Sequence, residues 1–184
     1  MKVLKQLVQK AFNSAGYNIN KYNGGNEKII INHAVELSTD EVKLICYILD
    51  NGYSMTSIPR LINTLKSCKY VIENKIPGDF VECGVWRGGN GILAKKIFEA
   101  MGSDKKVWMF DPFEGMTEPT NYDVRAASKT SASVKYQETL AENHSEWCYA
   151  SIEEVRDNCK SSLIDISSVK FIKGDVIKTL AVNE

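Results

Sequence analysis

The sequence predicts an α/β fold in which a parallel sheet is flanked by helices and preceded by a helical lead-in. Short apolar runs at residues 80–83, 107–111 and 169–173 are typical of buried strands. Amphipathic helical patterns separate these runs. A strand, helix, strand order implies a right-handed parallel crossover, so the three runs are expected to share one sheet.

The composition is that of a globular protein and argues against several functional classes. Of the 184 residues, 43% are hydrophobic and 25% are charged, and 23 basic residues balance 23 acidic ones. Because no basic run is dense enough to follow a phosphate backbone or an anionic surface, we expect no nucleic-acid and no membrane partner. The sequence contains neither a membrane-length apolar stretch nor a signal-peptide core, which predicts a cytoplasmic protein. The five cysteines form no C-x-x-C pair and are expected to be reduced packing residues.

We divide the chain into a helical lead-in and cofactor-covering segment at residues 1–75 and an α/β domain at residues 76–184. Apolar residues at helical spacing predict a first helix over residues 2–12. The polar stretch at residues 16–28 is rich in Asn and Gly, so we interpret it as a loop.

Two further helices are predicted before the first strand. Ser38 and Glu41 have the spacing of a capping box, and the helix they begin should end near Asn51. Pro59 is typical of a first helical turn, so another helix should start close to Ser57.

Further helices and loops are predicted after the first strand of the α/β domain. A helix is expected to run through residues 92–101, and the polar stretch 112–130 is interpreted as a long loop of the kind that is functional or mobile. A weaker pattern predicts a helix near residues 131–143. Ser151 and Glu154 form a second capping-box pattern that should begin another helix.

The turn that follows the first strand, Glu82–Gly89, carries the strongest functional signal. In an open parallel sheet, ligands bind at the carboxyl ends of the strands, and Gly84 and Gly88 would let the backbone approach a cofactor closely. The helix start suits an amino-acid carboxylate, and Glu82 suits a cationic amino group. A dinucleotide site expects G-x-G-x-x-G, whose first glycine pair is missing here, so the turn favours adenosylmethionine over a nicotinamide cofactor.

Three more polar residues are candidates for the same rim of the sheet. Asp111 ends the second strand, where an acid can accept the ribose hydroxyls of an adenosine. Asp175 follows the third strand and would lie near the adenine. Ser151 could reach the adenine or could simply cap its helix.

At these residues the sequence resembles the macrocin O-methyltransferase family, whose members methylate sugar hydroxyls in antibiotic biosynthesis. The resemblance is carried by the runs Ile76–Gly89, Val107–Met116 and Met55–Leu61. It implies the N-terminal part of a Rossmann-like class I methyltransferase fold, with S-adenosylmethionine as donor and often a magnesium ion at the acceptor.

The resemblance also implies roles for individual residues. Tyr53 and Met55 would belong to a segment that closes over the cofactor. The full set of predicted cofactor contacts is Tyr53, Met55, Glu82, Gly84, Gly88, Asp111, Ser151 and Asp175. No metal ligand or catalytic residue is assigned, because the family's metal ligands and general base would follow the third strand.

The sequence therefore predicts an S-adenosylmethionine-dependent O-methyltransferase acting on a hydroxyl of a sugar or related small molecule. We expect the chain to be a fragment that is inactive alone and to form a homo-oligomer. Two alternatives remain open at this point: an NAD-dependent oxidoreductase, and a non-catalytic module that binds the cofactor or mediates dimerisation.

Overall fold

The N-terminal part of the fold contains a β-hairpin that the sequence did not predict. The computed structural model describes residues 17–24, 26–33, 37–124 and 128–182. Strands β1 (Tyr17–Gly24) and β2 (Asn26–His33) pair antiparallel along their full length. The loop interpretation of residues 16–28 is therefore wrong for the described part of that segment. The helix predicted over residues 2–12 lies outside the described residues.

Two helices then lead into the sheet, as predicted. Helix α1 (Thr39–Asp50) begins with a complete capping box, because the Ser38 Oγ accepts from the Glu41 N–H and the Glu41 carboxylate accepts from the Ser38 N–H. Helix α2 (Ile58–Glu73) has a proline in its first turn, where a missing N–H has no cost.

A three-stranded parallel sheet forms the centre of the α/β part and confirms the predicted fold class. Its strands are β3 (Phe80–Cys83), β4 (Val107–Asp111) and β5 (Val169–Lys173), in that spatial order. Helix α3 (Gly89–Ala100) connects β3 to β4. Helices α4 (Ala132–Glu138) and α5 (Ile152–Ser161) lie between β4 and β5, and the short helix α6 (Val176–Thr179) follows β5.

The helices before the sheet and the α/β elements share one hydrophobic core. Leu61 of α2 and Phe98 of α3 are both fully buried in the same cluster. This cluster contains residues from both sides of the boundary that we placed between residues 75 and 76. Further buried members are Ile45, Ile48, Leu65, Ile92, Leu93, Val107, Met109, Val155 and Cys159. The division into two segments stays a prediction.

The long segment between β4 and α5 is mostly irregular, as predicted. Residues 112–123 contain no helix or strand, and Val124 forms an isolated bridge with Ser131. The weakly predicted helix near residues 131–143 is the shorter α4, which Ser131 caps through its side chain. An ion pair of 2.8 Å between Glu114 and Lys173 attaches the start of the segment to β5.

Candidate functional site

A cavity of about 740 Å³ lies at the carboxyl ends of the parallel strands. This is the position at which open α/β sheets bind their ligands. Four segments form most of its wall: the residues after α1, the β3–α3 turn, the residues after β4, and the start of α6. Of the eight predicted contacts, six line the cavity: Tyr53, Met55, Glu82, Gly84, Asp111 and Asp175.

The β3–α3 turn reverses sharply, with three left-handed residues in five. Gly84, Trp86 and Gly88 have φ angles of 86°, 48° and 88°. A Cβ atom built on Gly84 would meet no protein atom within 4 Å, whereas one on Gly88 would lie 3.1 Å from Cγ1 of Val155. Gly84 therefore leaves space on the cavity side, and Gly88 allows helix α5 to pack closely. Gly88 itself is not among the residues that line the cavity.

Asp111 joins the two strands beneath the cavity. Its Oδ2 accepts from the backbone N–H groups of Val85 at 2.6 Å and Trp86 at 3.3 Å, and its Oδ1 accepts from Phe113 at 2.7 Å. These bonds hold the β3–α3 turn and the segment after β4 in one arrangement. A carboxylate has about four acceptor positions, so one remains for a ligand.

Glu82 presents an unsatisfied carboxylate in the wall of the cavity. The residue is half-buried, and its Oε1 accepts from Asn90 Nδ2 at 3.0 Å. Its Oε2 is buried and has no hydrogen-bond partner among the described residues. Burial raises the pKa of Glu82 to about 7, and the nearby Asp111 charge adds to this, while the Asn90 side chain and the Gly91 amide act in the opposite direction. A cation beside this carboxylate would restore its ionised form.

Asp175 and Ser151 both cap helices, but only Asp175 borders the cavity. The Asp175 Oδ1 accepts from the Ile177 N–H at 2.9 Å at the start of α6. The Ser151 Oγ accepts from the Glu154 N–H at 3.1 Å at the start of α5. Ser151 is absent from the cavity lining. Its predicted contact with the adenine therefore stays a prediction, and capping accounts for the serine in this structure.

The segment after α1 forms one side of the cavity. Tyr53 is buried and packs edge-on against Tyr47, with ring centroids 5.9 Å apart. Met55 is 57% exposed, and its sulfur lies 4.0 Å from Sγ of Cys148, which also lines the cavity. The segment therefore reaches from the helical lead-in toward the residues that precede α5.

Helix α3 begins directly against this segment, which explains the second glycine of the Gly88–Gly89 pair. A Cβ on Gly89 would lie 2.6 Å from both the Tyr53 carbonyl oxygen and the Ser54 Cβ. These distances are far inside van der Waals contact, and one of the atoms is backbone. The close approach of the two segments thus requires glycine at position 89.

We expect Gly89→Ala to displace residues 53–54 and to lower the free energy of unfolding by about 1–3 kcal/mol, the usual range for overpacking. Hydrogen exchange of the Tyr53 and Ser54 amides, together with urea denaturation, measures both effects. Gly78→Ala is a control for the exchange measurement only, because a Cβ at that position has no neighbour within 4 Å but its φ of 99° strains any side chain there. Unchanged exchange at residues 53–54 would contradict the prediction.

Several residues of the site were missed at the sequence level. Asn90 lies in the cavity wall and orients Glu82, and its position one residue after the glycine pair was the available signal. Cys148 reaches the cavity from the irregular segment, and nothing in its surrounding sequence pointed there. A second cavity of about 760 Å³ adjoins the first, since Met116 and Thr117 line both.

The described residues contain neither a metal-binding cluster nor a membrane-spanning helix. No group of three or more His, Cys, Asp or Glu side chains in the described ranges could hold a metal ion. Among the helices of the same ranges, none has the length and apolar character needed to cross a membrane. All five cysteines are free; Cys46, Cys68 and Cys159 are buried, as expected of packing residues, whereas Cys148 is half-buried and Cys83 is exposed.

The parallel sheet, its glycine turn and the cavity at the strand ends define an α/β protein of the cofactor-binding class. The chain matches the family model of the macrocin O-methyltransferases (TylF) over residues 27–184. It therefore belongs to the macrocin O-methyltransferase family. The resemblance inferred from the sequence is thereby confirmed.

Characterised relatives are similar to part of the chain. Demethyldecarbamoylnovobiocin O-methyltransferase of Streptomyces niveus is 35% identical over 125 residues, which are 67% of this chain and 44% of the relative. A tetracenomycin-C derivative 4'-O-methyltransferase of Streptomyces olivaceus is 31% identical over 124 residues, with the same two coverages. The solved structure of the O-methyltransferase NovP superimposes with a TM-score of 0.57 at 32% identity, covering 73% of this chain and 52% of NovP. The chain thus spans less than half the length of the first two relatives.

Proposed function

We propose that this chain binds S-adenosylmethionine in the 740 Å³ cavity, as part of an enzyme that methylates a hydroxyl of a sugar or related small molecule. The observation that carries the proposal is the buried, unpaired Oε2 of Glu82, a residue that lines the cavity together with Gly84. An unsatisfied carboxylate in a cavity wall favours a ligand that brings a cation, and the amino group of the cofactor's methionine part is such a cation.

The remaining parts of the cofactor also find suitable groups. The N-terminus of α3, a helix of 12 residues, offers backbone N–H groups to the methionine carboxylate. Asp111 has one acceptor position left, so we infer that it accepts one ribose hydroxyl rather than both. The Asp175 carboxylate lies at the same rim, where we place the adenine.

The cofactor supplies an electrophilic methyl group on a sulfonium. The acceptor oxygen would take this methyl group, neutral adenosylhomocysteine would be the leaving group, and the hydroxyl proton would pass to solvent. The chain's own residues bind and align the reactants, which is a large part of catalysis in such transfers. A magnesium ion is expected only from the family resemblance, and the described residues provide no cluster for it.

We place the acceptor toward the second cavity. Met116 and Thr117 line both cavities, so the second cavity lies directly beside the first. Its lining combines the Trp147 ring, with Lys135 Nζ 4.7 Å from the ring centroid, and the exposed side chains of Glu118 and Glu138. Aromatic faces beside carboxylates suit a polyol ring, which presents both C–H and O–H groups.

Calorimetry with S-adenosylhomocysteine and with NAD tests the proposal. We expect the chain to bind adenosylhomocysteine and to show no comparable heat with NAD. Tight binding of NAD without a response to adenosylhomocysteine would favour the oxidoreductase instead. Binding of adenosylhomocysteine without methyl transfer from S-adenosylmethionine to any sugar hydroxyl, in a protein that contains this chain, would favour a non-catalytic binding module.

Gly84→Ala sharpens this test, because its added methyl group enters the cavity and not the protein core. We expect the affinity for adenosylhomocysteine to fall at least tenfold, or about 1.4 kcal/mol. Gly102→Ala is the matched control, since Gly102 has a φ of 66° and no atom within 4 Å of its Cβ position. Both variants carry the strain of a left-handed alanine, but only Gly84→Ala should lose affinity. Equal affinities would contradict the placement of the cofactor.

The proposed assembly state and location follow the sequence expectations. We infer a homo-oligomer, supported by the exposure of Val81 and Cys83 on β3, a strand that pairs only with β4 among the described residues. The cytoplasmic location is inferred from the sequence. Analytical ultracentrifugation tests the first part, and a sedimenting monomer at micromolar concentration would contradict it.

A further inference from the structure

Arg87 connects three separate parts of the molecule from within the β3–α3 turn. Its Nη1 donates to the Gly52 carbonyl at 3.1 Å, and its Nε donates to Oε1 of Glu154 at 2.5 Å. Its own carbonyl accepts from Asn158 Nδ2 at 3.1 Å. The turn is thereby joined to the end of α1 on one side and to α5 on the other. Arg87 is absent from the lining of the 740 Å³ cavity.

We propose that Arg87 is a positioning residue for the cofactor, which holds the segment Gly52–Thr56 against the cavity without touching the ligand. This inference rests on the proposed function, because it assigns a role at the same site. The segment supplies Tyr53, Ser54, Met55 and Thr56 to the cavity wall. The Gly52 carbonyl that Arg87 binds lies directly before these residues.

The segment Gly52–Thr56 depends on side-chain contacts because its backbone hydrogen bonds lie at its two ends. The N–H groups of Gly52 and Tyr53 donate back to Leu49 and Ile48, and the Ser57 carbonyl accepts from α2. Between these ends the Thr56 N–H bonds locally to the Ser54 side chain. The hydrogen bond that Arg87 donates to the Gly52 carbonyl therefore limits the direction in which the segment leaves α1.

The geometry uses properties that arginine has and lysine lacks. The guanidinium is planar and carries several donors in a fixed arrangement, so the bond to Glu154 also determines where Nη1 points. Both partners of the ion pair are about one-third exposed, with side-chain exposures of 35% and 37%. Water screens such a pair, so its direct contribution to stability is small and its effect is mainly geometric.

Two variants separate the geometric role from the charge. Arg87→Met removes both side-chain bonds, and Arg87→Lys keeps the charge but cannot hold both partners in one plane. We expect each to weaken adenosylhomocysteine binding about tenfold, because the ligand must then order the segment itself, at a cost comparable with fixing the backbone of one residue. Amide exchange at residues 52–57 should become faster in both ligand-free variants. Lys160→Met is the matched control, since it removes another ion pair of α5, with Asp157 at 3.1 Å, from an exposed face.

The outcomes distinguish this inference from the proposed function. If the wild-type chain does not bind adenosylhomocysteine, the proposed function fails, while exchange at residues 52–57 still tests whether Arg87 holds the segment. If the wild type binds and both variants bind equally well with unchanged exchange, the inference is overturned. Full recovery of affinity in Arg87→Lys would also overturn it, because charge alone would then suffice. Thermal unfolding of each variant verifies that the fold is retained.

Discussion

Replacing Gly115 with alanine is expected to lower the free energy of unfolding by about 2–4 kcal/mol, combining backbone strain with overpacking. Gly115 has a φ of 78°, and a Cβ there would lie 1.9 Å from the Ser145 carbonyl oxygen. Backbone hydrogen bonds already join the segments around Gly115 and Ser145 on both sides of this contact. The Ser145 N–H donates to Glu114, and the Met116 N–H donates to Trp147. The added methyl group must break this pairing or distort both segments.

Urea denaturation measures the loss, and amide exchange at Met116 and Ser145 shows whether it is local. Gly102→Ala again serves as the control, because it has a similar φ but open space around the Cβ position. The difference between the two variants isolates the steric effect from the strain. If Gly115→Ala were no less stable than Gly102→Ala, the contact between these two segments would not exist as described. Since Gly115 and Met116 line the 740 Å³ cavity, ligand affinity should fall as well.

Glu82→Gln is expected to have opposite effects on stability and on binding. The pKa of Glu82 is about 7 in the folded chain, against an ordinary value of 4.5. Between about pH 4.5 and pH 7, the folded state therefore keeps a proton on Glu82 that the unfolded state releases. The stabilisation that protonated Glu82 gives the folded state is fully present below about pH 4.5 and is lost as the pH rises through 7. With about 1.4 kcal/mol for each pKa unit, the loss amounts to roughly 3 kcal/mol.

The amide variant resembles the protonated acid in shape and charge. At pH 5 its stability should therefore be close to that of the wild type, and at pH 8 it should be more stable by roughly 3 kcal/mol. Chemical denaturation at the two pH values measures the difference. Glu73→Gln, at an exposed position on α2, is the control. A wild-type chain whose stability relative to Glu82→Gln does not change with pH would contradict the assigned pKa.

The affinity for the ligand should depend on pH in the opposite direction from the stability of the chain. A cationic amino group beside Glu82 favours the ionised carboxylate, so adenosylhomocysteine should bind more tightly as the pH rises from 6 to 8. In Glu82→Gln this dependence should disappear, and at pH 8 the affinity should fall about thirtyfold, or roughly 2 kcal/mol for a lost charged hydrogen bond. Calorimetry in two buffers of different ionisation enthalpy would show proton release by the wild type alone. Equal proton release in both proteins would place the cation elsewhere.

Much of the fold was accessible from sequence, because local signals agreed with the tertiary structure. Ser38 and Glu41 form the capping box that their spacing predicted, and the apolar runs that were assigned to β3, β4 and β5 are strands in one parallel sheet. The sequence could place Glu82 and Asp111 at one edge of the sheet because parallel strands bring their carboxyl ends together, and both residues line the cavity there.

The failures have physical causes as well. The sequence of hairpin β1–β2 is rich in Asn and Lys, which have low strand propensity. Its apolar residues also show no clear alternation along the two paired strands. For Ser151 the sequence left two interpretations open, and the structure shows the helix cap while the contact with the adenine stays a prediction. The contact of Arg87 with Gly52 spans 35 residues, and no local pattern encodes a contact of that kind.

The hydrogen bonds that Asp111 accepts give the β3–α3 turn its shape before any ligand arrives. Fixing the backbone of one residue costs about 1–2 kcal/mol of conformational entropy. A turn that ordered only on binding would subtract that amount from the affinity for each residue involved. Here the ordering occurs during folding, so the ligand meets a preorganised surface. Position 111 therefore links the stability of the chain to the affinity of its site, and an Asp111→Ala exchange would weaken binding even for ligands that lack a ribose.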